Sequence, residues 1–394
     1  MAKSVIPIGP WHPLQEEPEF FMLTVDGETV VDIEVSIGYN HRGIEKLSER
    51  KSFDQSTFVI ERICGICSTS HPFAYTRAVE DVIAVEVPDR AKFIRTIVAE
   101  LERIHSHMLW AGLAGHFLGY NTVYHWVWKL REEILDVCEI LTGNRNNYAI
   151  FKPGGVRRDF NVDDIPLVLK KIDGIIPTVD RLKKAILDDP VLHARLKGIG
   201  ILTKEEAIDY SALGPTSRAS GVARDVRKDA PYGAYDRVDW DMIVTENGDV
   251  FDKVVVRVLE IYESIRIIKA CIAELPGGEI DLNIKDIPPG EGIGAHEAPR
   301  GETFHYVRSD GTNRPARHKV RAPTFMNLPT YKATVIGETI SDATIILAAI
   351  DPCYCCTERM AVRDEEGKRL FGGPDLVKLS QEKTARMKRE MGIP

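Results

Sequence analysis

Two segments decide how this chain folds: Glu61-Arg-Ile-Cys64-Gly-Ile-Cys67-Ser-Thr-Ser-His71 and Asp351-Pro-Cys353-Tyr-Cys-Cys356-Thr-Glu-Arg359. Each segment contains a Cys-x-x-Cys pair, a spacing that lets two thiolates in one tight turn bind the same metal ion. A metal that joins both pairs would hold the first and last parts of the fold together, deep inside the protein. Four thiolates form a soft site, which selects zinc, an iron–sulfur cluster or a late transition metal such as nickel.

The separation of the pairs along the chain bears on the choice of metal. A structural zinc site gathers its four cysteines within a few dozen residues of a small module. Here the pairs lie near opposite ends of a chain of 394 residues. The separation therefore favours a buried catalytic cofactor, although spacing alone leaves structural zinc open as an alternative.

Composition argues against several classes of function. The formal charge of −8 gives no electrostatic support to a nucleic-acid partner. The sequence predicts no transmembrane helix, because no run approaches about 18 apolar residues, and its first residues lack the apolar core of a signal peptide. The seven cysteines, an odd number, favour a reducing compartment, so we expect a protein on the cytoplasmic side.

Local patterns predict a mainly helical α+β protein with a small N-terminal antiparallel β hairpin. The hairpin pairs residues 20–25 with 29–37 around the Asp26-Gly27 turn. A helix begins near Ile44, and another begins with Asp89 as its N-cap. Apolar residues at helical spacing predict long helices over 89–118, 122–142, 165–187 and 251–273. Long helices that follow one another imply a helical bundle as the core.

No linker or internal repeat divides the chain, so we expect a single domain over residues 1–394. Its expected parts are an N-terminal β region (1–45), a helical core (46–275), a region with the second cysteine pair (276–360) and a tail (361–394). Two stretches rich in Gly, Pro and polar residues, 214–235 and 277–323, predict extended loops. Residues 378–391 of the tail are polar and helix-prone, and we interpret them as a helix that docks on a partner subunit.

Further motifs accompany the cysteine pairs: Gly38-Tyr-Asn-His-Arg-Gly-Ile-Glu45, Gly214-Pro-Thr-Ser-Arg-Ala-Ser-Gly-Val222 and Asp225-Val-Arg-Lys-Asp-Ala-Pro231. Together with R-x-C-G-x-C-x-x-x-H and D-P-C-x-x-C-x-x-[HR], they resemble the large subunit of [NiFe] hydrogenases over nearly the whole chain. The resemblance is to the group 4 branch of membrane-bound, energy-converting enzymes, which are related to the quinone-site large subunit of respiratory complex I. It implies the [NiFe]-hydrogenase large-subunit fold.

This resemblance implies that the four thiolates hold a Ni–Fe(CN)2(CO) centre. Cys64 and Cys353 would be terminal nickel ligands, and Cys67 and Cys356 would bridge nickel to iron. Dihydrogen would be split heterolytically, or formed in reverse, with Cys353 as the first proton acceptor. Glu17 would relay that proton onward; the alternative for Glu17 is a solvated loop acid.

The resemblance also assigns the surroundings of the centre. Arg300 would place its guanidinium, a permanently charged planar fork, over the open metal positions. Further residues would bond the cyanides or pack against a cysteine sulfur, and these are Ala298, Pro299, Pro323, Thr324 and His71. Glu45 would support a magnesium or iron ion near the site. Soluble relatives complete that second site with a terminal histidine, where this chain has Arg359.

The remaining histidines and cysteines of interest have structural interpretations. Two histidines lie two positions apart on one helix and do not share a face, so a shared metal is not expected. Two cysteines lie alone in apolar helical stretches, and a third lies between the ligands of the second pair. The residues interpreted as structural are His105, His107, Cys138, Cys271 and Cys355, the last as a buried spectator thiol.

Electron transfer requires partners. The three cysteines left after the ligands are assigned are too few for a [4Fe–4S] cluster, so the clusters must lie in a partner subunit. The resemblance implies an iron–sulfur small subunit, further ferredoxin-type subunits, antiporter-like membrane subunits that move H+ or Na+, and ferredoxin as donor. We therefore expect the peripheral, catalytic subunit of a membrane-bound hydrogenase.

Two other classes of function stay open. One is a complex I-like or sulfur-reducing relative, a class that loses some or all of the four cysteines. The other is a zinc-stabilised scaffold subunit, which would leave Arg300 and Thr324 unexplained.

Overall fold

The computed structural model describes residues 3–13, 15–358, 362–364, 366, 368–371 and 373–393. Near the N-terminus lies an antiparallel sheet in the order β1-β2-β3, with the bounds β1 (Ser4–Ile8), β2 (Phe20–Asp26) and β3 (Thr29–Ser36). The predicted hairpin is confirmed, because β2 pairs with β3 around Gly27, whose φ is +65°. Alternate side chains of β2 are buried, namely Phe21, Leu23 and Val25.

Helices occupy most of residues 44–142, with the bounds α1 (Ile44–Ser48), α2 (Phe53–Glu61), α3 (Ser70–Ile83), α4 (Asp89–Phe117) and α5 (Asn121–Thr142). The two long helices predicted in this range and the helix at Ile44 are confirmed. Asp89 is the first residue of α4 and not its N-cap, because Pro88 occupies the cap position and its carbonyl accepts from the Lys92 amide.

The middle of the chain contains a short ribbon and six more helices. Their bounds are β4 (Phe151–Lys152), β5 (Gly155–Val156), a 3-10 turn Val162–Asp164, α6 (Ile165–Asp188), α7 (Pro190–Leu196), α8 (Lys204–Asp209), α9 (Pro215–Arg218), α10 (Val226–Asp229) and α11 (Val250–Ala273). The long helices α6 and α11 match their predicted ranges. Residues 214–235 are mostly turns, as predicted, with the four-residue helices α9 and α10.

Four long helices, α4, α5, α6 and α11, pack into the predicted bundle. Every residue from 93 to 112 of α4 is buried, so α4 is the central helix. The apolar core around it includes Ile94, Leu101, Val137, Ile172 and Ile268. A helix that is buried on all sides can present polar side chains to a site inside the protein.

The prediction of extended loops over 277–323 was wrong for most of that range. An antiparallel sheet in the order β6-β7-β8 occupies it, with the bounds β6 (Gly290–Ala298), β7 (Gly301–Ser309) and β8 (Pro315–Arg321). The alternation of apolar residues that marks a strand is weak here because inward-facing positions are polar: Thr303 and His305 of β7 are fully buried.

The last part of the chain contains short helices and α16. The bounds are α12 (Pro323–Asn327), a 3-10 turn Leu328–Thr330, α13 (Tyr331–Val335), α14 (Ile340–Ala349), α15 (Tyr354–Thr357), β9 (Val362–Arg363), β10 (Arg369–Phe371) and α16 (Gly373–Glu390). The predicted tail helix is confirmed as part of α16. Within the part of the chain that the structure describes, none of the helices combines the length and the apolar character of a membrane span.

Buried charges tie β6 and the loops around α9 and α10 to the bundle. Arg218 forms ion pairs with Glu260 at 2.7 Å and with Glu297 at 2.8 Å. Seven charged side chains, none more than 3% exposed, share this network: Glu100, Arg103, Arg218, Asp225, Arg227, Glu260 and Glu297. Removing one member would leave an uncompensated buried charge, at a cost of about 3–5 kcal/mol.

Glycines let β6 lie directly on α3. A Cβ added at Gly294 would lie 2.1 Å from the Ala74 carbonyl oxygen, and one at Gly292 would lie 2.2 Å from the Ala78 carbonyl oxygen. These approaches are closer than any side chain allows, so both positions require glycine. The contact matters for the site because α3 follows the first cysteine pair directly.

We expect Gly294→Ala to lower the free energy of unfolding by about 2 kcal/mol, because its methyl group must push β6 away from α3. The matched control is Gly277→Ala, since a Cβ at Gly277 meets no atom within 4 Å. Chemical denaturation of the two purified variants measures the difference. Equal stability of the two variants would contradict the close contact.

Candidate metal centre

The two cysteine pairs occupy two tight turns at helix ends. Cys64 and Cys67 lie between the end of α2 at Glu61 and the start of α3 at Ser70. Cys353 is the N-cap of α15, and Cys356 lies within that single helical turn. Both pairs therefore project two sulfurs from one short turn, as the spacing predicted.

The fold brings the four sulfurs together. All four lie within 4.8 Å of one another, and the sulfurs of Cys353 and Cys64 are 3.1 Å apart. Each cysteine is at most 5% exposed and free of disulfide bonds. Two sulfurs that bind one ion through bonds of about 2.3 Å lie at a similar distance from each other as the sulfurs do here, so the four cysteines fit a single thiophilic metal site. Within the described ranges, this is the group of His, Cys, Asp and Glu side chains with metal-binding geometry.

Electrostatics distinguish the four thiols. Hydrogen bonds from Cys353, Cys356 and Cys67 lower the pKa of Cys64 well below its usual value. Burial raises the pKa of Cys356. The cluster thus favours one thiolate stabilised by its neighbours, and a cation is needed for further sulfurs to lose their protons.

Arg300 lies against the sulfurs, in the turn between β6 and β7. Its Nη1 lies 3.9 Å from the Cys67 sulfur and donates to the Ser106 hydroxyl at 3.0 Å. Its Nε donates to the Asp351 carbonyl oxygen at 2.8 Å, and its Nη2 forms an ion pair with the Asp351 carboxylate at 2.6 Å. The guanidinium is therefore held in one orientation, and these anionic neighbours raise its pKa further.

Two residues that hold the site together were not expected from the sequence. Asp351 lies between Arg300 and Arg257, and the Arg257 Nε is 3.9 Å from the Asp351 carboxylate. The backbone of Asp351 is in the left-handed region, with a φ of +56°. Arg42 donates to the carbonyl oxygens of Ile63, in the first cysteine loop, and of Cys355, in the second. A signal was present for both, since Asp351 precedes Pro-Cys353 and Arg42 lies in a motif quoted above.

The other residues expected at the centre occupy positions around it. The Thr324 hydroxyl accepts a hydrogen bond from the Cys353 amide at 3.1 Å, at the start of α12 beside Pro323. A hydroxyl that accepts in this way can still donate to another group. Ala298 is the last residue of β6 and its carbonyl accepts from Arg103, and Pro299 lies in the turn before Arg300.

Glu17 contacts the second cysteine loop. Its Oε2 accepts a hydrogen bond from the Cys355 amide at 2.7 Å. Burial raises the pKa of Glu17 to about 7, and the charge of Cys64 raises it further. Glu17 is thus placed against the second cysteine loop, and its raised pKa distinguishes it from a solvated loop acid.

The two helix histidines and the two lone helix cysteines have the environments predicted for them, whereas Cys355, expected to be buried, is only half-buried. His107 Nε2 lies 2.7 Å from a Glu260 oxygen, and His105 Nε2 lies 3.1 Å from the Tyr148 hydroxyl. Two cysteines are fully buried and one is half-buried outside the four-sulfur group, namely Cys138, Cys271 and Cys355. His71 is buried, and its Nδ1 contacts His305, a partner that the sequence did not predict.

Glu45 is engaged by protein groups. Its carboxylate accepts from the Val320 amide at 3.0 Å and from Lys319 at 2.8 Å. Arg359, which occupies the position of the terminal histidine of soluble relatives, lies outside the described residues. The second metal ion at Glu45 stays a prediction.

The class of protein follows from comparison with protein families. The model of the respiratory-chain NADH dehydrogenase 49 Kd subunit matches residues 118–286 and 282–359, and that of nickel-dependent hydrogenase matches residues 42–112. The chain belongs to the family of large subunits that membrane-bound, energy-converting [NiFe] hydrogenases share with respiratory complex I.

Individual relatives agree with this assignment. The chain is 41% identical to the membrane-bound hydrogenase subunit alpha of Pyrococcus furiosus, over 96% of this chain and 93% of the relative. It is 39% identical to the carbon monoxide-induced hydrogenase of Rhodospirillum rubrum, over 91% of this chain and 100% of the relative. Among solved structures, a chain of the membrane-bound sulfane sulfur reductase, an archaeal respiratory membrane complex, superposes with a TM-score of 0.86. It is 31% identical, over 91% of this chain and 98% of that one.

Replacing a single sulfur tests the metal site. We expect Cys356→Ser to lose bound metal, because a hydroxyl is a far weaker ligand than a thiolate for a soft metal. Cys355→Ser is the matched control, one residue away and outside the four-sulfur group. Elemental analysis of the purified variants gives the metal content. Loss of metal from Cys355→Ser, or retention in Cys356→Ser, would contradict the site.

Proposed function

We propose that this chain is the catalytic large subunit of a membrane-bound [NiFe] hydrogenase, which interconverts two protons and two electrons with H2. The observation that supports this most is the complete set of four buried cysteine sulfurs within 4.8 Å, with the Arg300 guanidinium 3.9 Å from Cys67. A structural zinc site gathers its ligands within a small module, whereas these two cysteine pairs lie near opposite ends of the chain.

The residues fit a Ni–Fe(CN)2(CO) centre, which when bound supplies the redox chemistry at dihydrogen. Cys64, Cys67, Cys353 and Cys356 would hold this centre through their sulfurs, the first cysteine of each pair on nickel alone and the second shared with iron. The soft sulfurs suit nickel, and the buried surroundings exclude bulk water from the ligands.

Arg300 is proposed to orient the reacting species. Its guanidinium is held by Asp351 and Ser106, so it is a fixed positive charge in a buried site. A charge that is oriented before the reaction stabilises developing negative charge without reorganisation. The Thr324 hydroxyl, with the backbone at Ala298, Pro299 and Pro323, is proposed to line the pockets of the diatomic ligands.

Protons are proposed to pass between Cys353 and Glu17. The Cys355 amide, two residues from Cys353, fixes the Glu17 carboxyl beside the second cysteine loop. With a pKa of about 7, the carboxyl takes up and releases a proton readily at neutral pH.

Electrons are proposed to pass between the metal centre and ferredoxin through a partner iron–sulfur small subunit. Of the three cysteines outside the site, Cys138 and Cys271 are fully buried in helices, so no cluster forms from them. The further proposed partners are ferredoxin-type subunits, ferredoxin as donor and antiporter-like membrane subunits that move H+ or Na+. The chain would then lie on the cytoplasmic side of the membrane, with α16 as a docking helix.

A second candidate function is that of a complex I-like or sulfur-reducing subunit. The 31% identity to a chain of a sulfane sulfur reductase complex favours this alternative. The two functions differ in the metal centre, so the metal centre is what an experiment has to identify.

An infrared spectrum of the purified complex tests the proposal in the region where metal-bound CO and CN stretch. We expect one CO band and two CN bands, because protein groups do not absorb there and the proposed iron carries these ligands. The material should be produced together with its maturation proteins, and elemental analysis should show nickel. Absence of the bands would contradict the hydrogenase proposal. Zinc in the sample would then support a scaffold subunit, whereas the absence of both nickel and zinc would support a complex I-like subunit.

The role of Glu17 is tested by an isosteric change. We expect Glu17→Gln to lower H2 evolution about 100-fold at unchanged nickel content, because an amide cannot relay a proton. In the wild-type complex the rate should fall above pH 7, as Glu17 loses its proton, and the variant should lack this inflection.

The matched control for Glu17 is Glu19→Gln. Glu19 is also buried, and burial raises its pKa to about 8, but its carboxylate accepts from its neighbour Phe20. An equal loss of rate in both variants would contradict a specific role of Glu17.

A further inference from the structure

A carboxylate from the central helix α4 holds the start of α3, the helix that follows the first cysteine pair. The Glu102 side chain accepts hydrogen bonds from the Ser70 amide at 3.1 Å, from the Thr69 amide and from the Ser70 hydroxyl. The two amides donate to different oxygens of the carboxylate. All three residues are fully buried, so bulk water does not compete with Glu102 for these donors.

This contact takes the place of a local helix cap. Thr69 is the N-cap residue of α3, but its side chain caps none of the described amides. A threonine at this position normally accepts from an amide of the first turn, and such a cap buries no charge. Burying a carboxylate is unfavourable unless it is fully hydrogen-bonded. Stabilisation of α3 therefore does not by itself explain Glu102, and what the contact adds is a fixed placement of α3 against α4.

The same face of α4 also holds Arg300. Ser106 follows Glu102 by four residues, and side chains four residues apart on a helix lie on one face. The Ser106 hydroxyl accepts from Arg300 Nη1 at 3.0 Å, and that nitrogen lies 3.9 Å from the Cys67 sulfur. One face of α4 thus places the guanidinium through Ser106 and the first cysteine turn through Glu102.

The backbone carries this constraint to the sulfur. Thr69 lies two residues after Cys67, and the residue between them, Ser68, is fully buried. The Ser68 hydroxyl lies 2.8 Å from the Gly65 carbonyl oxygen and 2.8 Å from the Asn146 side-chain oxygen. The segment from residue 65 to residue 70 is therefore held on one side by Asn146 and on the other by Glu102.

We propose that Glu102 is a positioning residue of the metal centre, which fixes the first cysteine turn relative to the Arg300 guanidinium. The inference rests on the proposed function, because this spacing matters to the reaction only if Cys67 binds the centre and Arg300 orients the reacting species. Glu102 acts through the Thr69 and Ser70 backbone, and its role requires both of its acceptor oxygens.

An isosteric change tests this role. Glu102→Gln keeps the size of the side chain but offers one acceptor oxygen, so one of the two amides would face an NH2 group, which cannot accept. In the purified complex we expect unchanged nickel content but CO and CN infrared bands displaced from their wild-type positions. We expect H2 evolution to be about tenfold slower, since a small misplacement near a reacting centre lowers the rate strongly.

Hydrogen–deuterium exchange follows the contact itself and does not depend on the identity of the metal. The peptide over residues 64–72 contains the Thr69 and Ser70 amides, which both donate to Glu102. We expect these amides to exchange about tenfold faster in Glu102→Gln, as for the loss of a hydrogen bond to a charged group.

The matched control is Glu80→Gln, in the same helix. Glu80 is also buried, and its two oxygens accept from Arg95 at 2.6 and 3.0 Å, but it lies about 15 Å further along α3. The control should lose stability while it keeps wild-type infrared bands, rate and exchange over residues 64–72. Carboxylates that only stabilise α3 would give the same result at both positions.

The outcomes separate this role from general stability. Wild-type bands and rate in Glu102→Gln, or equally displaced bands in Glu80→Gln, would overturn the positioning role. If Glu102→Gln does not assemble, Ser70→Ala decides, because it removes one donor to Glu102 and leaves both amides. Displaced bands in Ser70→Ala would then support the role, and wild-type bands would overturn it.

A wild-type complex without CO and CN bands would overturn the proposed function, and the exchange comparison would still decide the role of Glu102. Faster exchange over residues 64–72 in Glu102→Gln alone would support a cysteine turn that Glu102 fixes. Equal exchange in the wild-type protein and Glu102→Gln would overturn it.

Discussion

The ion pair between Arg300 and Asp351 holds together the parts of the chain that form the site. The guanidinium contacts the carbonyl oxygen and the carboxylate of Asp351, the Ser106 hydroxyl of α4, and the sulfur of Cys67. A buried guanidinium is stable only if its charge and its donors are satisfied. The turn after β6, the central helix and both cysteine loops must therefore meet at one point, and this requirement shapes the fold around the metal site.

The rest of the fold fixes the backbone on which Arg300 stands. Arg103, from α4, donates to the carbonyl oxygens of Glu297 and Ala298 at 2.5 and 3.2 Å. Glu297 is bound by Arg218 in the buried ionic network, and Gly292 and Gly294 let β6 rest on α3. The cationic group is thus held by rigid elements and not by a flexible loop, as a preorganised catalytic site requires.

Because the family contains proteins of different activity, the function of this chain has to be inferred from its site and not from its fold. The same architecture serves hydrogenases, complex I subunits and a sulfane sulfur reductase complex. These activities differ in chemistry although the helices and sheets superpose, so the fold alone does not choose among them. The four sulfurs and the Arg300 guanidinium beside them are the features of this chain on which the proposed hydrogen chemistry rests.

Local spacing along the chain is enough to predict the hairpin at Asp26-Gly27, the long helices and the two cysteine turns, because each depends on neighbouring residues. The strands β6 to β8 are visible only in the folded protein, since their inward positions include polar residues such as His305 whose partners lie on other elements. The tertiary structure also decided the roles of Asp351 and Arg42, because an ion pair or a carbonyl contact between distant segments leaves no periodic pattern. The sequence indicated which residues could bind metal, and the packing of buried charges decided how they are held.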